Sequence, residues 1–319
     1  MIVPAPNSPA VSIIVALHNC LHLTQAMLRS FDATWPAQIT REVILVDDAS
    51  SDGTGAWLAA LPATHQRRVI SLEHNAGYAV ANNLGARSAT GQRLLFLNND
   101  LEFSPGWFEP LLRTHLSLGA NAGVTGNVQR RWDSNAVDHA GIRFGPKGKP
   151  EHRTDLPFRR TGRFRVTESV TGACFMIDRD LWSRLGGFDE RYRNGCEDID
   201  LCLRIRERGL YVGVALDSCI RHHVSCSPGR RDHDEENTRR LFARWESTIA
   251  TLALKRWSAD ALDYGWTSPR DPKAAASALA LLLYRVGLRR TPPRAARDGI
   301  QQALAAEQAR WARLARAGD

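Results

Sequence analysis

The sequence predicts an α/β fold with a mostly parallel central sheet, flanked by helices and followed by a C-terminal helical extension. Short apolar runs alternate with helical stretches through the first third of the chain, a pattern typical of right-handed crossovers between parallel strands. Polar residues follow these apolar runs directly, at the strand ends where parallel sheets bind ligands. From about residue 234 onward the composition, rich in Ala and Arg, favours helix.

The first half of the chain supplies four predicted strands. Each is a short run of β-branched and other apolar residues, which suits a strand buried on both faces. Helices are expected between the strands, at about 21–31, 54–61 and 78–89. The predicted strands are V-S-I-I-V-A-L (11–17), E-V-I-L-V (42–46), R-V-I-S-L-E (68–73) and R-L-L-F-L (93–97).

The second half is less regular. The segment 143–165 is rich in Gly, Pro and Arg and is predicted to be a loop. An amphipathic helix is predicted over 196–209, closed by Gly209. The remaining predicted elements are a helix at 107–117, a short strand at 123–128, strands at 166–177 and 211–216, and helices from 234 interrupted at 269–272 and 291–294.

Composition favours a soluble, cytoplasmic protein. Apolar residues make up 43% and charged residues 24% of the chain, which is ordinary for a globular protein. No apolar run approaches the ~20 residues of a membrane-spanning helix, and the first residues lack the basic start and apolar core of a signal peptide. The six cysteines include no C-x-x-C pair, so a reducing compartment is expected.

The net charge of +8 is concentrated in two segments. Eight Lys and Arg stand against two acidic residues in 143–165, and eight Arg stand against three acidic residues in 285–319. The rest of the chain is therefore slightly acidic. This distribution argues against a general nucleic-acid binder and favours two local contacts with anions.

A candidate metal site follows the fourth predicted strand. The run L-L-F-L (94–97) ends in Asn98, Asn99 and Asp100, whose oxygens suit Mg²⁺ or Mn²⁺ better than Zn²⁺. An ordinary turn explains the same residues. His222 and His223 follow another predicted strand, and one of them could join the cation, although an exposed histidine pair explains them equally well.

The same histidines allow a zinc alternative. Cys219 and Cys226 lie on either side of the pair, at positions that resemble one half of a zinc site. No second cluster of Cys or His completes the four ligands of a structural zinc ion, which makes this interpretation the weaker one.

Three carboxylates open the helix at 196–209. Acidic residues in a first turn are favoured by the helix dipole, but Asp200 can also pair with Arg204 one turn later. Glu197 and Asp198 are then left for other roles. A carboxylate at a helix start beside a cleft can act as a general base toward a hydroxyl group.

Asp47 and Asp48 end the second predicted strand. They could form an Asx turn or accept hydrogen bonds from a nucleotide base or ribose. The following G-T-G-A-W-L (53–58) resembles a dinucleotide-binding fingerprint, but its last position is Leu58 and six residues separate the strand from Gly53. A dehydrogenase is therefore unlikely to be the correct interpretation.

Seven motifs follow one another along residues 10–230. They are V-S-I-I-V-A-L-H-N, V-D-D-A-S-S-D-G-T, N-A-G-Y-A-V-A-N-N-L-G, F-L-N-N-D, T-G-A-C-F-M-I-D-R, L-G-G-F-D-E and E-D-I-D-L-C-L-R. Taken together and in this order, they resemble the family 2 glycosyltransferases of the GT-A fold. The resemblance favours the rhamnosyl and O-antigen branch of bacterial enzymes and implies an inverting enzyme that uses a nucleotide sugar.

The resemblance implies a role for each site residue. Asp100 becomes the surest ligand of Mn²⁺ or Mg²⁺, with His222 as a second ligand, and Asp198 becomes the catalytic base with Glu197 beside it. Apart from the resemblance, Arg230 and Arg231 follow the histidine pair and could fold over the diphosphate as a lid. The residues expected to bind the donor are Ala16, His18, Asn19, Asp47, Asp48, Asn83, Asn98, Asn99 and Arg230.

The resemblance also implies domains and partners. A catalytic domain is expected at 1–231, with a nucleotide-binding half at 10–104 and an acceptor-binding half at 105–231, followed by a basic extension at 232–319. The donor is expected to be a UDP- or dTDP-sugar, and the acceptor a glycan or lipid-linked molecule. The basic segments could contact an anionic membrane at its inner face, or the extension could be a helical brace.

Two alternatives remain open at this point. The chain could be a degenerate family member that binds sugar nucleotides or glycans without catalysis, although Asp100 and Asp198 are both present. A nucleotidyltransferase would share the sheet and the metal. It would want a Gly-, Arg- or Lys-rich loop after the first strand, where A-L-H-N-C-L stands instead.

Overall fold

A computed structural model describes residues 9–62, 66–145, 147–156, 163–223, 232–267, 279–284 and 286–317. The chain divides into two compact units. The first comprises residues 1–142 and 152–233, and the second comprises residues 143–151 and 234–319. The last division between the units falls at 233/234, and the expected separation of a catalytic domain from an extension at 231/232 stays a prediction.

The described part of the chain contains twelve strands, eight α-helices whose bounds follow, and a further helical segment at 279–284. The strands are β1 Val11–Leu17, β2 Arg41–Asp47, β3 Arg67–Ser71, β4 Arg93–Leu97, β5 Leu101–Glu102, β6 Ala122–Arg131, β7 Val137–His139, β8 Ile142–Phe144, β9 Pro150–His152, β10 Phe164–Val166, β11 Cys174–Asp178 and β12 Tyr211–His222. The helices are α1 Leu21–Thr34, α2 Thr54–Ala59, α3 Tyr78–Ser88, α4 Phe108–Ser117, α5 Arg179–Leu185, α6 Glu197–Glu207, α7 Asp234–Thr267 and α8 Arg294–Ala317.

Ten of these strands form one mixed sheet, in the order β10-β12-β6-β11-β4-β1-β2-β3, with β5 on β12 and β7 on β6. The β1, β2, β3 and β4 strands are mutually parallel, while β11 runs antiparallel to both β4 and β6. The predicted α/β fold with its mostly parallel sheet is confirmed. β1 is buried at every position except the half-buried Ala16, because helices cover both faces of the sheet.

Two apolar cores lie on the two faces of the sheet. One core contains Ile14, Phe96, Phe175 and Trp182, and the other contains Ile13, Phe31 and Trp107 among others. Alternate residues of each strand enter opposite cores, as the two-residue period of a strand requires. Within the described residues, no helix is long and apolar enough to cross a membrane.

The second half of the sheet differs from prediction in three places. The predicted loop 143–165 contains the β8–β9 hairpin and the start of β10. The predicted strand 166–177 is interrupted, because β10 pairs with β12 while β11 pairs with β4 and β6. β12 continues to His222, because its end pairs with both β5 and β6 after a register shift between Ala215 and Cys219.

The second unit is built around the kinked helix α7, which leaves helical geometry at Trp245, and the helix α8. The Trp311 ring of α8 packs edge-on against Phe242 at 4.9 Å, and its Nε1 donates to Glu235 at 2.9 Å. A Cβ at Gly148 would lie 2.7 Å from Leu304, so the tip of the β8–β9 hairpin packs against this unit's core. Trp311 is buried within this unit.

Candidate functional site

The carboxyl ends of β1, β2, β4, β6 and β12 lie at one edge of the sheet. The first three strands are parallel neighbours. β6 runs antiparallel to β11, which runs antiparallel to β4, so β6 points the same way as β4, and β12 is parallel to β6. This carboxyl edge gathers most of the predicted site residues.

At the β1–β2 end of this edge, Asp48 is held by the backbone. Its carboxylate accepts hydrogen bonds from the amides of Ala76 at 2.6 Å and Gly77 at 2.9 Å. His18 is exposed, and its Nδ1 donates to the Asp48 carbonyl at 2.8 Å, because a carbonyl oxygen can only accept. The His18 ring is thus fixed at the edge with a face open to a ligand.

The neighbouring polar residues build the turns that follow β1 and β2. Asp47 accepts from the Ser50 amide at 3.1 Å, and Asn19 accepts from the Ser51 amide at 2.7 Å. The Asn99 amide donates to the Asn19 carbonyl at 3.2 Å. Asn19, Cys20 and Ala49 have left-handed backbone geometry, which is strained for residues other than glycine and concentrates at functional sites.

Asp100 and His222 meet where β4 and β12 end. Oδ1 of Asp100 lies 3.2 Å from Nε2 of His222, and Oδ2 of Asp138 lies 4.0 Å from the Nδ1 of the same ring. The pairing of β5 with β12 sets Leu101 opposite His222, and the His223 amide donates to the Asp100 carbonyl at 2.9 Å. Long-range pairing therefore creates this contact between residues far apart in sequence.

The Asp100–His222 pair fits a divalent cation. Asp100 Oδ1 and both ring nitrogens of His222 are buried and have no hydrogen-bond partner among the described residues. A carboxylate and an imidazole suit Mn²⁺, and a metal of this kind takes its remaining ligands from phosphates and water. Within the described ranges, no group of three or more His, Cys, Asp or Glu forms a complete protein cage.

The geometry favours His222 over its neighbours as the metal residue. His223 stacks on Trp132 at 4.7 Å instead. Cys219 and Ile220 alternate along β12, and it is Ile220 that shares the strand face of His222. Cys219 therefore lies on the face opposite His222, and the described residues contain no group of three His, Cys, Asp or Glu side chains that could hold a zinc ion. Cys226 lies outside the described residues.

Asp198 stands at the start of α6 and is tied to the beginning of β11. Its Oδ2 accepts from the Gly172 amide at 2.7 Å, and its Oδ1 accepts from the Ile199 amide at 2.7 Å. The carbonyl of Ala173, which follows Gly172, accepts a hydrogen bond from the Asn98 amide at 2.9 Å. The segment 172–173 thus joins Asp198 to the end of β4, two residues before Asp100.

Tyr78 is a half-buried residue in contact with the Gly172 segment, and the sequence did not single it out. Its hydroxyl donates to the Gly172 carbonyl at 2.7 Å. Burial raises the pKa of Tyr78 well above its ordinary value, and the charges of Glu197, Asp198 and Asp100 add to the effect. Tyr78 was part of a motif that carried the resemblance, but an aromatic residue at a helix start is equally typical of a core position.

Other predicted site residues have structural contacts. Glu197 is buried and accepts from the Gly195 amide at 2.7 Å. The Asn83 amide nitrogen donates to the Phe188 carbonyl and its oxygen accepts from the Phe188 amide, both at 2.9 Å. Asn83 therefore holds the turn before α6, and its contact with the donor stays a prediction.

The remaining predictions meet the structure as follows. The predicted pair of Asp200 and Arg204 is confirmed at 2.8 Å, and it is buried. Ala16 is half-buried near the end of β1, and Asn98 is half-buried after β4. Arg230 lies outside the described residues.

Comparisons with known proteins point to one family. The profile of "Glycosyl transferase family 2" matches residues 12–186. The O-antigen biosynthesis protein RfbC of Myxococcus xanthus is 30% identical over 316 residues, which covers 94% of this chain and 22% of that protein. The chain thus spans about a fifth of this relative's length.

Solved structures share the fold at low identity. The mannosyltransferase PcManGT from Pyrobaculum calidifontis, in complex with GDP-Man and Mn²⁺, has a TM-score of 0.54 at 20% identity, covering 96% of this chain and 88% of that one. GalNAc-T7 with UDP, GalNAc and Mn²⁺ has a TM-score of 0.57 at 18% identity, covering 68% of this chain and 44% of that one.

Proposed function

The chain belongs to glycosyl transferase family 2, and we propose that it moves a sugar from a nucleoside-diphosphate donor to a glycan or lipid-linked acceptor. The observation that carries this proposal is the carboxyl edge of the sheet. There, Asp100 and His222 face each other, and Asp100 Oδ1 and both ring nitrogens have no hydrogen-bond partner among the described residues. The segment 172–173 joins Asp198 to Asn98, two residues before Asp100. One group suits a metal-bound diphosphate, and the other suits a hydroxyl group.

Asp100 and His222 would hold Mn²⁺ or Mg²⁺. The ion, when bound, offsets the negative charge that develops on the departing diphosphate. At the other end of the donor, His18 presents an open ring face for stacking on the base, while Asp48 keeps the 76–77 turn in place. These residues orient the donor along the edge of the sheet.

Asp198 would act as the base. Two backbone amides hold its carboxylate in one orientation, so that it can accept the proton of the acceptor hydroxyl as the oxygen attacks the anomeric carbon. The bond to the acceptor oxygen forms as the bond to the diphosphate oxygen breaks. A single displacement of this kind inverts the anomeric configuration.

The identity of the donor and acceptor is the finer part of the proposal. UDP- or dTDP-sugars are the expected donors, and the relative named for O-antigen biosynthesis supports a polysaccharide of the cell envelope as the acceptor class. Cytoplasmic location, with contact at the inner face of the membrane, stays a prediction.

A binding screen followed by product analysis tests the proposal. UDP, dTDP and GDP are added with Mn²⁺, and the nucleotide that raises the melting temperature identifies the donor class. Hydrolysis or transfer of the matching nucleotide sugar is then followed by NMR, and the first-formed product should have inverted anomeric configuration. Retention of configuration would exclude the single displacement. Nucleotide-sugar binding without any turnover would instead favour the non-catalytic alternative.

The membrane contact has its own candidate surface in the second unit. Leu282, Val286 and Leu288 are 45%, 60% and 77% exposed, and the next residues, Arg289 and Arg290, are exposed too. Apolar side chains next to arginines suit the surface of an anionic bilayer.

Sedimentation with vesicles tests this surface. The Leu288→Asp protein should sediment less than wild type with vesicles that contain phosphatidylserine. The Leu116→Asp protein is the matched control, because Leu116 is 49% exposed but lies on α4 of the first unit. Equal sedimentation of the Leu288→Asp protein and wild type would remove the membrane role.

A further inference from the structure

Asp138 of β7 stands behind the metal residue His222. Its Oδ2 lies 4.0 Å from Nδ1 of His222, whereas Nε2 of the same ring lies 3.2 Å from Asp100 Oδ1. The imidazole is thus set between two carboxylates, one at each ring nitrogen. The His222 side chain is only 6% exposed, so water does not readily take the place of either carboxylate.

Neither ring nitrogen of His222 has a hydrogen-bond partner among the described residues. An unpaired nitrogen in a buried imidazole is costly, and a metal ion at Nε2 would satisfy one of the two. The other, Nδ1, would then carry the proton, since a neutral imidazole has one donor and one acceptor nitrogen. Asp138 offers a carboxylate oxygen 4.0 Å from that nitrogen.

We propose that Asp138 is a positioning residue that accepts the Nδ1 proton of His222 and so fixes Nε2 as the nitrogen that binds the metal. The inference rests on the proposed function, because it takes His222 as a ligand. A carboxylate that accepts this proton fixes the tautomer and orientation of a metal-binding histidine and makes it a stronger ligand. Asp138 itself does not touch the metal or the substrate.

The strands hold the pair in register without help from the site. β7 pairs with β6 through Gln129 and His139, and β6 pairs with β12 through Arg131 and His222. The backbone pairing of these three strands therefore places Asp138 near His222. Replacing the Asp138 side chain should leave this pairing intact. The next residue, His139, accepts from the amides of Gly141 and Thr171 and is itself buried, which anchors β7 from the other side.

Mn²⁺ binding in the presence of the nucleoside diphosphate, measured by titration calorimetry or by the Mn²⁺ EPR spectrum, tests the inference. Asp138→Ala should weaken Mn²⁺ binding by about 10- to 100-fold, the usual effect of losing such a partner. Asp138→Asn keeps an acceptor oxygen and should restore part of the affinity. In the His222→Ala background, Asp138→Ala should have no further effect, because the two residues act as one unit.

Asp133→Ala is the matched control. Asp133 lies five positions earlier, is paired with Arg131 and has a side chain that is 58% exposed, so its removal changes the local charge equally without touching His222. If both alanine variants weaken Mn²⁺ binding equally, the effect comes from the loss of a nearby negative charge in general. That result would overturn the inference.

Two results separate this inference from the proposed function. If His222→Ala weakens Mn²⁺ binding but Asp138→Ala does not, the inference fails and the metal site stands. If His222→Ala binds Mn²⁺ as tightly as wild type, both the metal assignment and the inference fail.

Discussion

The two edges of the central sheet each carry a buried carboxylate, and the two carboxylates are treated differently. At the amino edge, Glu42 accepts hydrogen bonds from the Ser12 hydroxyl at 2.6 Å, the Thr90 amide at 2.6 Å and the Thr90 hydroxyl at 2.7 Å. At the carboxyl edge, Oδ1 of Asp100 is buried without any hydrogen-bond partner among the described residues. Both side chains are nearly inaccessible to solvent.

This difference separates structural carboxylates from functional ones. Glu42 connects the starts of β1, β2 and β4, and its carboxylate accepts hydrogen bonds from donors of the protein itself. Asp100 Oδ1 faces the His222 ring at 3.2 Å without a hydrogen bond to any described residue, which is unfavourable for a buried carboxylate unless a ligand completes its contacts. Removing Glu42 should therefore affect stability and removing Asp100 should affect function.

The largest effect is expected at Asp198. Asp198→Asn keeps the oxygen that accepts from Gly172 but cannot take a proton, so kcat should fall by about 10²- to 10⁴-fold, the usual contribution of a general base. The affinity for the nucleotide sugar should be unchanged. Turnover kinetics and donor titration measure the two quantities, and normal turnover would remove Asp198 from the mechanism.

The next effect concerns Asp100 directly. Asp100→Asn should lower kcat/KM by at least about 100-fold, because metal stabilisation of the leaving group contributes several kcal/mol. The melting temperature without metal should not fall, and the increase on adding Mn²⁺ with nucleotide should disappear. A loss of stability in the metal-free state would contradict the contrast between the two edges.

Glu42→Ala should show the opposite behaviour. Ser12 and Thr90 would lose their acceptor in a buried place, and the free energy of unfolding should fall by about 3 kcal/mol. Kinetic constants measured well below the melting temperature should stay at the wild-type values. Denaturant titration gives the stability, and an equal loss of kcat/KM would show that the amino edge also serves function.

The pH dependence of stability should report on Glu42 as well. Burial alone would raise the pKa of this carboxyl, but the hydrogen bonds from Ser12, Thr90 and Arg68 outweigh it and lower the pKa below 4.5. The stability that Glu42 contributes is therefore present above pH 4.5 and is lost as the pH falls through the lower value of the folded state. Unfolding measured between neutral and acid pH should show a smaller acid loss in Glu42→Gln.

The smallest effect is expected from one of two amides inside β6. Asn127 and Gln129 are almost fully buried, and neither the side-chain nitrogen nor the side-chain oxygen of Gln129 has a hydrogen-bond partner among the described residues. Replacing Gln129 by Met, which has a similar shape, should leave the free energy of unfolding equal or slightly higher. A clear loss of stability in denaturant titration would mean that its amide is satisfied in solution.

The carboxyl edge could be predicted because it depends on short segments. Apolar runs that end in Asp48 or Asp100 and alternate with helices place those residues at one edge whatever the details of packing. The confirmed pair of Asp200 and Arg204 needed only helical spacing.

The features that the sequence did not predict depend on contacts between segments far apart in the chain. The position of Asp138 behind His222 follows from β7, a three-residue strand that no local pattern marked, pairing with β6. Likewise, the hairpin at 143–151 has the composition of a loop, and its packing around Gly148 comes from residues more than ninety positions away. Periodicity within a segment carries no information about such partners.

The path of the chain between the two units limits how recombination could exchange one of them. Since residues 143–151 fold with the C-terminal helices while residues 152–233 return to the sheet, the backbone passes from one unit to the other three times. A recombination event with one breakpoint would separate the hairpin tip from Leu304 and its neighbours. Exchange of the second unit between related genes would therefore have to carry both segments together.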